Sequence, residues 1–307
     1  MGPTATGKSA LAIELAVRRG GEIISCDSTA VYRGFDIGTD KVPAGERRGI
    51  PHHLIDIVEP TDEYTAARFV RDAVRAIEDI YQRGRWPILV GGTGLYYRAL
   101  VRGLFPGPAA DATLRARLEA VARRRGVEFL HRMVERVDPA SARRILPRDL
   151  KRLVRALEVY FLTGKALTDH FADTVSPLKD HQTVAVGLAL PLVEIARRTA
   201  RRVDEQFERG LLNEIRGLLA RGVPETARPF GGLVYRQALE HLHGVRNEAE
   251  TRALIARENR QYARRQLIWF RKEPNLVWLA SSGDHPETTA AVESILATCP
   301  NPSPESS

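Results

Sequence analysis

The chain has 307 residues, a formal net charge of +8, 43% hydrophobic and 27% charged residues. These are the proportions of an ordinary globular protein with room for one large or two modest domains. No run approaches the roughly 18 apolar residues of a membrane span. The two cysteines, Cys26 and Cys299, are far apart and lack metal-ligand spacing, so a reduced cytoplasm is the expected compartment.

In chain order, residues 2–9 read GPTATGKS, the G-x-x-x-x-G-K-S pattern of a phosphate-binding loop. Glycines in such a loop let backbone N–H groups converge on phosphate oxygens, the lysine adds a point charge, and the serine hydroxyl can ligate Mg²⁺. A helix predicted over 10–18 adds the positive end of its dipole. The bland alternative is a Gly-rich turn before a helix. The chain opens on this loop and not on a signal peptide. A phosphate loop normally follows a buried strand, and only Met1 precedes Gly2. The sheet is therefore expected to lack its central strand, which a late start codon or a truncation would explain.

Short apolar segments follow at 21–26 (GEIISC), 53–58 (HLIDIV) and 87–91 (PILVG), with an amphipathic helix predicted over 64–83 that carries Phe69, Ala73, Ile77 and Ile80 on one face. Alternating short strands and helices predict an α/β fold built on a parallel, phosphate-loop sheet. Pro106-Gly107-Pro108 is a break. Residues 111–146 show helical period and no strand candidate, and Pro147 ends them. A helix is predicted over 149–162, a buried strand over 183–190, helices over 194–209, 211–221, 235–242 and 248–270, and a short strand over 277–279. The expected organisation is a core over 1–110, a helical basic insertion over 111–146, the rest of the core over 147–299 and a disordered tail over 300–307.

The charge is unevenly spread. Residues 111–155 hold 13 Lys or Arg against 6 Asp or Glu, nearly the whole excess of the chain. A basic field of that kind suits a polyanion such as RNA; a solvated Arg-rich helical surface fits it as well.

Asp27 follows directly on the first predicted strand, at the carboxyl edge where open α/β sheets bind ligands. It can serve as a general base or metal ligand, or simply cap the next helix. Cys26 reads as a small core residue. Thr93, between Gly92 and Gly94, occupies the equivalent edge position after the 87–91 strand, as a ligand contact or a turn former. His52 and His53 lack further ligands at metal spacing and read as structural. Arg198 and Arg202, four apart, share a helix face with Arg201 close by, and can reach a diphosphate or stay solvated. Lys151-Arg152-Leu153-Val154-Arg155 and Arg264-Arg265-Gln266 can bind phosphate backbones without being diagnostic.

Seven motifs then fall in one order: GPTATGKS (2–9), ISCDSTAVYRGFDIGTDK (24–41), PHHLIDI (51–57), ILVGGTGLYYRAL (88–100), KRLVRALEVY (151–160), GLVYRQ (232–237) and RRQLIWFR (264–271). Over about residues 2 to 280 the chain resembles the tRNA dimethylallyltransferases. The resemblance implies a phosphate-loop core with a helical insertion that clasps the anticodon stem-loop of tRNA. It implies transfer of a dimethylallyl group from dimethylallyl diphosphate to N6 of the adenosine just 3′ of the anticodon, with Mg²⁺ as the metal, in a cytoplasmic enzyme expected to be a monomer with no membrane partner. By position, Gly2, Pro3, Thr4, Ala5, Thr6, Gly7, Lys8 and Ser9 would hold the diphosphate, with Ser9 on Mg²⁺ and Arg202 joining Lys8 on the leaving group. Asp27 would take the proton from the adenine amine. Thr93, counted with the catalytic residues, and Arg115 would lie near the tRNA. The implied tRNA-contacting stretches are Asp27, Ser28, Thr29 and Ala30; Lys151, Arg152, Leu153, Val154 and Arg155; and Gly231, Gly232, Leu233, Val234, Tyr235 and Arg236. Val234 departs from the glycine usual before that tyrosine.

Three rivals stand beside this reading. A phosphate-loop small-molecule kinase or ATPase needs an acidic strand residue on the metal, and Asp56 is the candidate. A non-catalytic RNA-binding protein would keep the fold alone. A prenyltransferase acting on free adenine nucleotides has less need for the basic stretch 111–155.

Overall fold

The computed structural model describes residues 1–297 and 299; the tail expected to be disordered lies outside them. The loop leads into α1 (Lys8–Arg19), which starts at Gly7 and closes on Gly20, both in the left-handed region. Strand β1 (Gly21–Cys26) is buried along its whole length. It pairs in parallel with β2 (His52–His53) on one side and β3 (Trp86–Gly91) on the other, in the order β2-β1-β3. A strand covered on both faces reads as a continuous apolar run, as GEIISC does; β3 is half-buried along its length, and its apolar run PILVG was legible all the same. Between them α2 (Ala66–Gln82) is capped by the Thr65 hydroxyl, which accepts from the Arg68 amide, and it buries Phe69, Ala73, Ile77 and Ile80. Helix α3 (Gly94–Arg102) follows β3 directly.

Of the strand expected over 53–58 only His53 is formed, at the end of β2. Leu54 and Asp56 take φ of 61° and 56°, a left-handed conformation that an extended ladder cannot contain. Beyond them an isolated parallel bridge, outside the sheet, joins Val58 to Tyr32.

The chain divides into two compact units, one of Val101–Lys179 and one of Met1–Leu100 with the chain from Asp180 onward. The first is all helix: α4 (Ala112–Arg125), α5 (Val127–Val137), α6 (Pro139–Arg144), α7 (Leu150–Thr163) and α8 (Leu167–His170). Asp111, Asp138 and Asp149 cap α4, α6 and α7 with their side chains. Leu118, Leu130, Val134, Leu153, Val154 and Leu157 belong to one buried cluster. Helix α7, which the sequence reading places with the core beyond 147, thus shares its apolar face with α4 and α5. Pro147 ends a helix without ending the unit.

The other unit resumes with β4 (Ala185–Leu188), α9 (Leu192–Glu208), α10 (Leu211–Ala220), α11 (Leu233–Leu242), α12 (Glu248–Phe270), β5 (Leu276–Leu279) and α13 (Pro286–Leu296). A capping box on Asn247 and Glu250 starts α12. Strands β4 and β5 pair in parallel as a separate two-stranded sheet. Met1 lies along β4: its nitrogen donates to the Val186 carbonyl at 2.6 Å, and the Leu188 amide donates to the Met1 carbonyl at 2.9 Å.

Candidate active site

The phosphate loop occupies the carboxyl edge of β1 and β3, and its shape is set by close approaches. Gly2 has φ 140°, and a Cβ there would stand 2.6 Å from the Leu188 carbonyl oxygen; at Gly7, φ 79°, a Cβ would meet the Asp284 amide and carboxylate at 2.8 Å. Only glycine fits either place. The Thr6 hydroxyl donates to the Pro3 carbonyl at 3.0 Å. From above, Gln266 on α12 accepts from the Thr4 amide at 2.9 Å and donates to the Gly92 carbonyl at 2.9 Å, so one side chain ties the loop to the end of β3.

This edge opens into a cavity of about 410 Å³, a volume suited to a small organic ligand. Its wall includes Thr4, Gly7, Lys8 and Ser9 from the loop, Asp27 from the end of β1, Asp40 from the loop after it, and Arg198, Arg201 and Arg202 from α9. The apolar side is Ile23, Val42, Ile55 and Val90. Cationic and apolar side chains share this one lining, which suits a molecule with an anionic head and a hydrocarbon tail.

Lys8 Nζ folds back onto the Pro3 carbonyl at 2.5 Å. Burial, then the neighbouring Arg202, pulls its pKa down to about 7, with Asp27 opposing. Arg202 Nη1 donates to Thr4 Oγ1 at 2.9 Å and to Asp40 Oδ2 at 3.1 Å. Arg198, one turn earlier, is held by Glu194 at 2.8 Å and by Asp284 at 3.1 and 3.2 Å. Burial pushes the Asp40 carboxyl up, against the pull of Arg202.

Asp27 uses one oxygen to hold its own turn: Oδ1 accepts from the Thr29 amide at 2.8 Å, the Thr29 hydroxyl at 2.6 Å and the Ala30 amide at 3.3 Å. Among the described residues no hydrogen bond engages Oδ2, in a residue that lines the cavity. Holding the turn thus occupies one oxygen of the carboxylate and leaves the other outside that network. Thr93 Oγ1 accepts from the Ser28 amide at 3.0 Å, so Thr93 fastens the 27–30 loop to the end of β3. Cys26 is fully buried, and burial pushes its thiol up, which keeps it a protonated core residue.

His53 Nε2 meets the buried Glu22 at 2.7 Å, a structural contact. His52 lines the cavity, which its sequence context did not signal. Asp40 and Asp284 were also unsignalled; Gln266, read with Arg264 and Arg265 as a stretch for phosphate backbones, instead holds the loop itself, from 262 positions along the chain. The acidic residue a kinase would need is elsewhere engaged: Asp56 lies outside any strand, and Lys41 Nζ donates to its Oδ1 at 2.5 Å.

Among the described residues no group of three or more His, Cys, Asp or Glu is arranged to hold a metal ion. The loop offers one exposed hydroxyl, Ser9. That donor set fits Mg²⁺, which binds through few protein oxygens together with phosphate and retains waters.

The stretches expected at tRNA divide by burial. Lys151 and Arg152 are exposed on α7, and Arg152 pairs with Asp149 at 3.2 Å. Leu153 and Val154 are core, so no RNA contact through their side chains is available. Arg115 grips the fully buried Glu158 at 2.8 and 2.9 Å, and Arg155 grips it at 2.6 Å; the Asp111 amide adds a fourth bond at 2.8 Å. Arg115 thus ties α4 to α7, while Arg155 meets Glu158 within α7 and also donates to the Pro108 carbonyl at 3.0 Å. In the other unit Gly231 and Arg236 are exposed, Gly232 and Leu233 half-buried, and Val234 and Tyr235 buried. Tyr235 donates to Glu214 at 2.6 Å and packs edge-on against Phe35 and Phe230, so its side chain braces the interior.

The IPP transferase family model matches residues 30–273. A tRNA dimethylallyltransferase of Solibacter usitatus is 48% identical over 287 residues, covering 93% of each chain. Among solved structures, a tRNA isopentenylpyrophosphate transferase of Bacillus halodurans is 37% identical with a TM-score of 0.71, covering 96% of this chain and 93% of that one. A eukaryotic dimethylallyltransferase described as acting on tRNA is 28% identical with a TM-score of 0.79, over 96% of this chain and 76% of its own. No helix among the described residues is long and apolar enough to cross a membrane. A family model along most of the chain, and a relative close to half identical over nearly its full length, make this chain a member of the IPP transferase family.

Proposed function

We propose that this chain transfers a dimethylallyl group from dimethylallyl diphosphate to N6 of the adenosine immediately 3′ of the anticodon in tRNA. Family membership makes it a prenyltransferase acting on tRNA; the donor, the atom and the residue roles are our reading. The observation that carries it is the convergence on one cavity of a phosphate loop, two neighbouring arginines, a free carboxylate oxygen and an apolar wall.

The diphosphate head lies on the loop amides of residues 2–9, with Lys8 and Arg202 on its oxygens and the α1 dipole behind it. Ser9 would hold Mg²⁺ against the same oxygens, and the ion, when bound, neutralises charge on the leaving group. The prenyl tail lies toward Ile23, Val42, Ile55 and Val90. An exocyclic adenine amine is a weak nucleophile, because its lone pair is delocalised into the ring. As the N6–C bond forms and the allylic C–O bond breaks, Asp27 takes the amine proton, a contribution of about 10²–10⁴ in rate. Fixed cations meet the charge that develops on the departing diphosphate. The adenine must leave its stack to reach Asp27, at a cost of a few kcal/mol that is lowest in a single-stranded loop. Lys151, Arg152 and Arg236 offer exposed charge for the RNA backbone.

Purified protein with Mg²⁺, dimethylallyl diphosphate and an anticodon stem-loop RNA should yield RNA heavier by one prenyl group, located on that adenosine by nuclease digestion and mass spectrometry. ATP hydrolysis without transfer to RNA would favour the kinase reading instead.

A further inference from the structure

Asp40 is the residue in the cavity wall to which neither the family motif nor the mechanism gives a role. It sits in the turn 37–41, its amide donating to the Ile37 carbonyl at 3.1 Å, with φ 54°. That turn is braced from behind. Glu214 accepts from the Asp36 and Ile37 amides at 3.0 and 2.8 Å, and the Tyr235 hydroxyl accepts from the Gly38 amide at 3.0 Å. On its other side Lys41 donates to the Tyr32 carbonyl at 2.6 Å and to Asp36 at 2.7 Å. A turn held on both sides presents the Asp40 carboxylate in one place.

Its two oxygens do different work. Oδ1 accepts from Gln206 Nε2 at 2.9 Å, and Oδ2 accepts from Arg202 Nη1 at 3.1 Å. The same Nη1 donates to Thr4 Oγ1 at 2.9 Å. Gln206 is almost wholly buried, and its Oε1 finds no partner among the described residues. Arg202 is therefore seated through Nη1 alone. Its Nε and Nη2 edge, the side that forks onto a phosphate, makes no hydrogen bond among the described residues. A long side chain on a cavity wall loses much rotamer freedom when it is fixed, and here it is fixed before any ligand arrives.

We propose that Asp40 is the positioning residue of Arg202, holding the guanidinium so that its free edge faces the diphosphate as the leaving-group charge develops. This rests on the diphosphate reading above. The carboxylate acts through the arginine and does not itself touch the donor.

The test uses the full chain and two substitutions that accept the left-handed backbone. Asp40→Gly removes the carboxylate and keeps the turn. Asp40→Asn keeps an acceptor for Arg202, while its amide donates to the unused Gln206 Oε1 once that amide turns over. Asp40→Gly should lower kcat about tenfold with the donor KM changed less than about threefold, and Asp40→Asn should recover most of the loss. Inorganic pyrophosphate binding, followed by calorimetry, gives a readout apart from catalysis. Asp40→Gly and Arg202→Ala should each weaken it, and the double variant should bind no more weakly than Arg202→Ala alone. Multiplicative effects in that cycle, or Asp40→Asn as impaired as Asp40→Gly, would overturn the assignment. If the cycle is non-multiplicative but no RNA is prenylated, the positioning role stands and the donor reading falls.

Discussion

The two units carry charge in opposite ways. Around the phosphate loop, residues from β1, the loop after it, α9, α12 and the 281–284 turn converge on one cavity, and much of their charge faces inward. In the helical unit the excess of arginine is spread over helix surfaces, and two of the arginines singled out from the sequence are spent on Glu158. The first arrangement selects a ligand by geometry; the second presents a field, and part of what looks like field in the sequence is internal structure. Counting positive residues therefore overstates the RNA-facing charge, whereas the loop motif understates the site.

The largest effect that would sharpen this contrast is at Asp27. Asp27→Ala should cut turnover by about 10²–10⁴ with little change in donor affinity, measured as kcat and KM for dimethylallyl diphosphate. Next, Glu158→Ala leaves two guanidiniums and the Asp111 amide without their partner. Breaking a buried ion pair costs about 3–5 kcal/mol, so the unfolding midpoint in urea should fall while the cavity chemistry of any folded fraction is kept. Arg115→Ala should shift the same midpoint in the same direction.

Third comes pH. Lys8 in the free protein has its pKa lowered to about 7, and the protonated form is the one that attracts a diphosphate. As pH rises from 7 to 9 the free enzyme loses that proton, so kcat/KM for the donor should decline toward the level of Lys8→Met, and Lys8→Met should show no such decline. The smallest effect belongs to the surface. Lys151→Ala should raise KM for the stem-loop a few-fold, leave the donor KM unchanged, and reduce the salt slope of RNA binding by about 1. If Lys151→Ala harmed stability and Arg115→Ala harmed only RNA affinity, the contrast between the units would be reversed.

What the sequence discloses follows the range of the interactions. The α/β alternation, the loop and Asp27 at the end of β1 depend on neighbours within a few residues, and they could be read directly. The segment 53–58 misled because its apolar spacing is that of a strand, while the left-handed residues Leu54 and Asp56 are fixed by contacts elsewhere, such as that between Asp56 and Lys41. Arg115 looked like free charge because its partner Glu158 lies 43 residues away; Arg155 meets the same Glu158 one helical turn on, and only the burial of that carboxylate shows the pair to be internal. The role of Gln266 and the presence of Asp40 were hidden for the same reason: Gln266 meets Thr4 across 262 positions, and Arg202 meets Asp40 across 162. The motif announces a phosphate and the strand edge a carboxylate near it, but only the folded chain adds Asp40 and an apolar lining to the same cavity.

The most direct measurement is a crystal structure of this chain with an unreactive dimethylallyl diphosphate analogue and an anticodon stem-loop bound together. The account predicts the diphosphate on the loop amides, the prenyl carbons against Ile23 and Val90, and Asp27 Oδ2 at about 3 Å from the flipped adenine N6. An analogue seated away from the loop, or an adenine amine out of reach of Asp27, would contradict it.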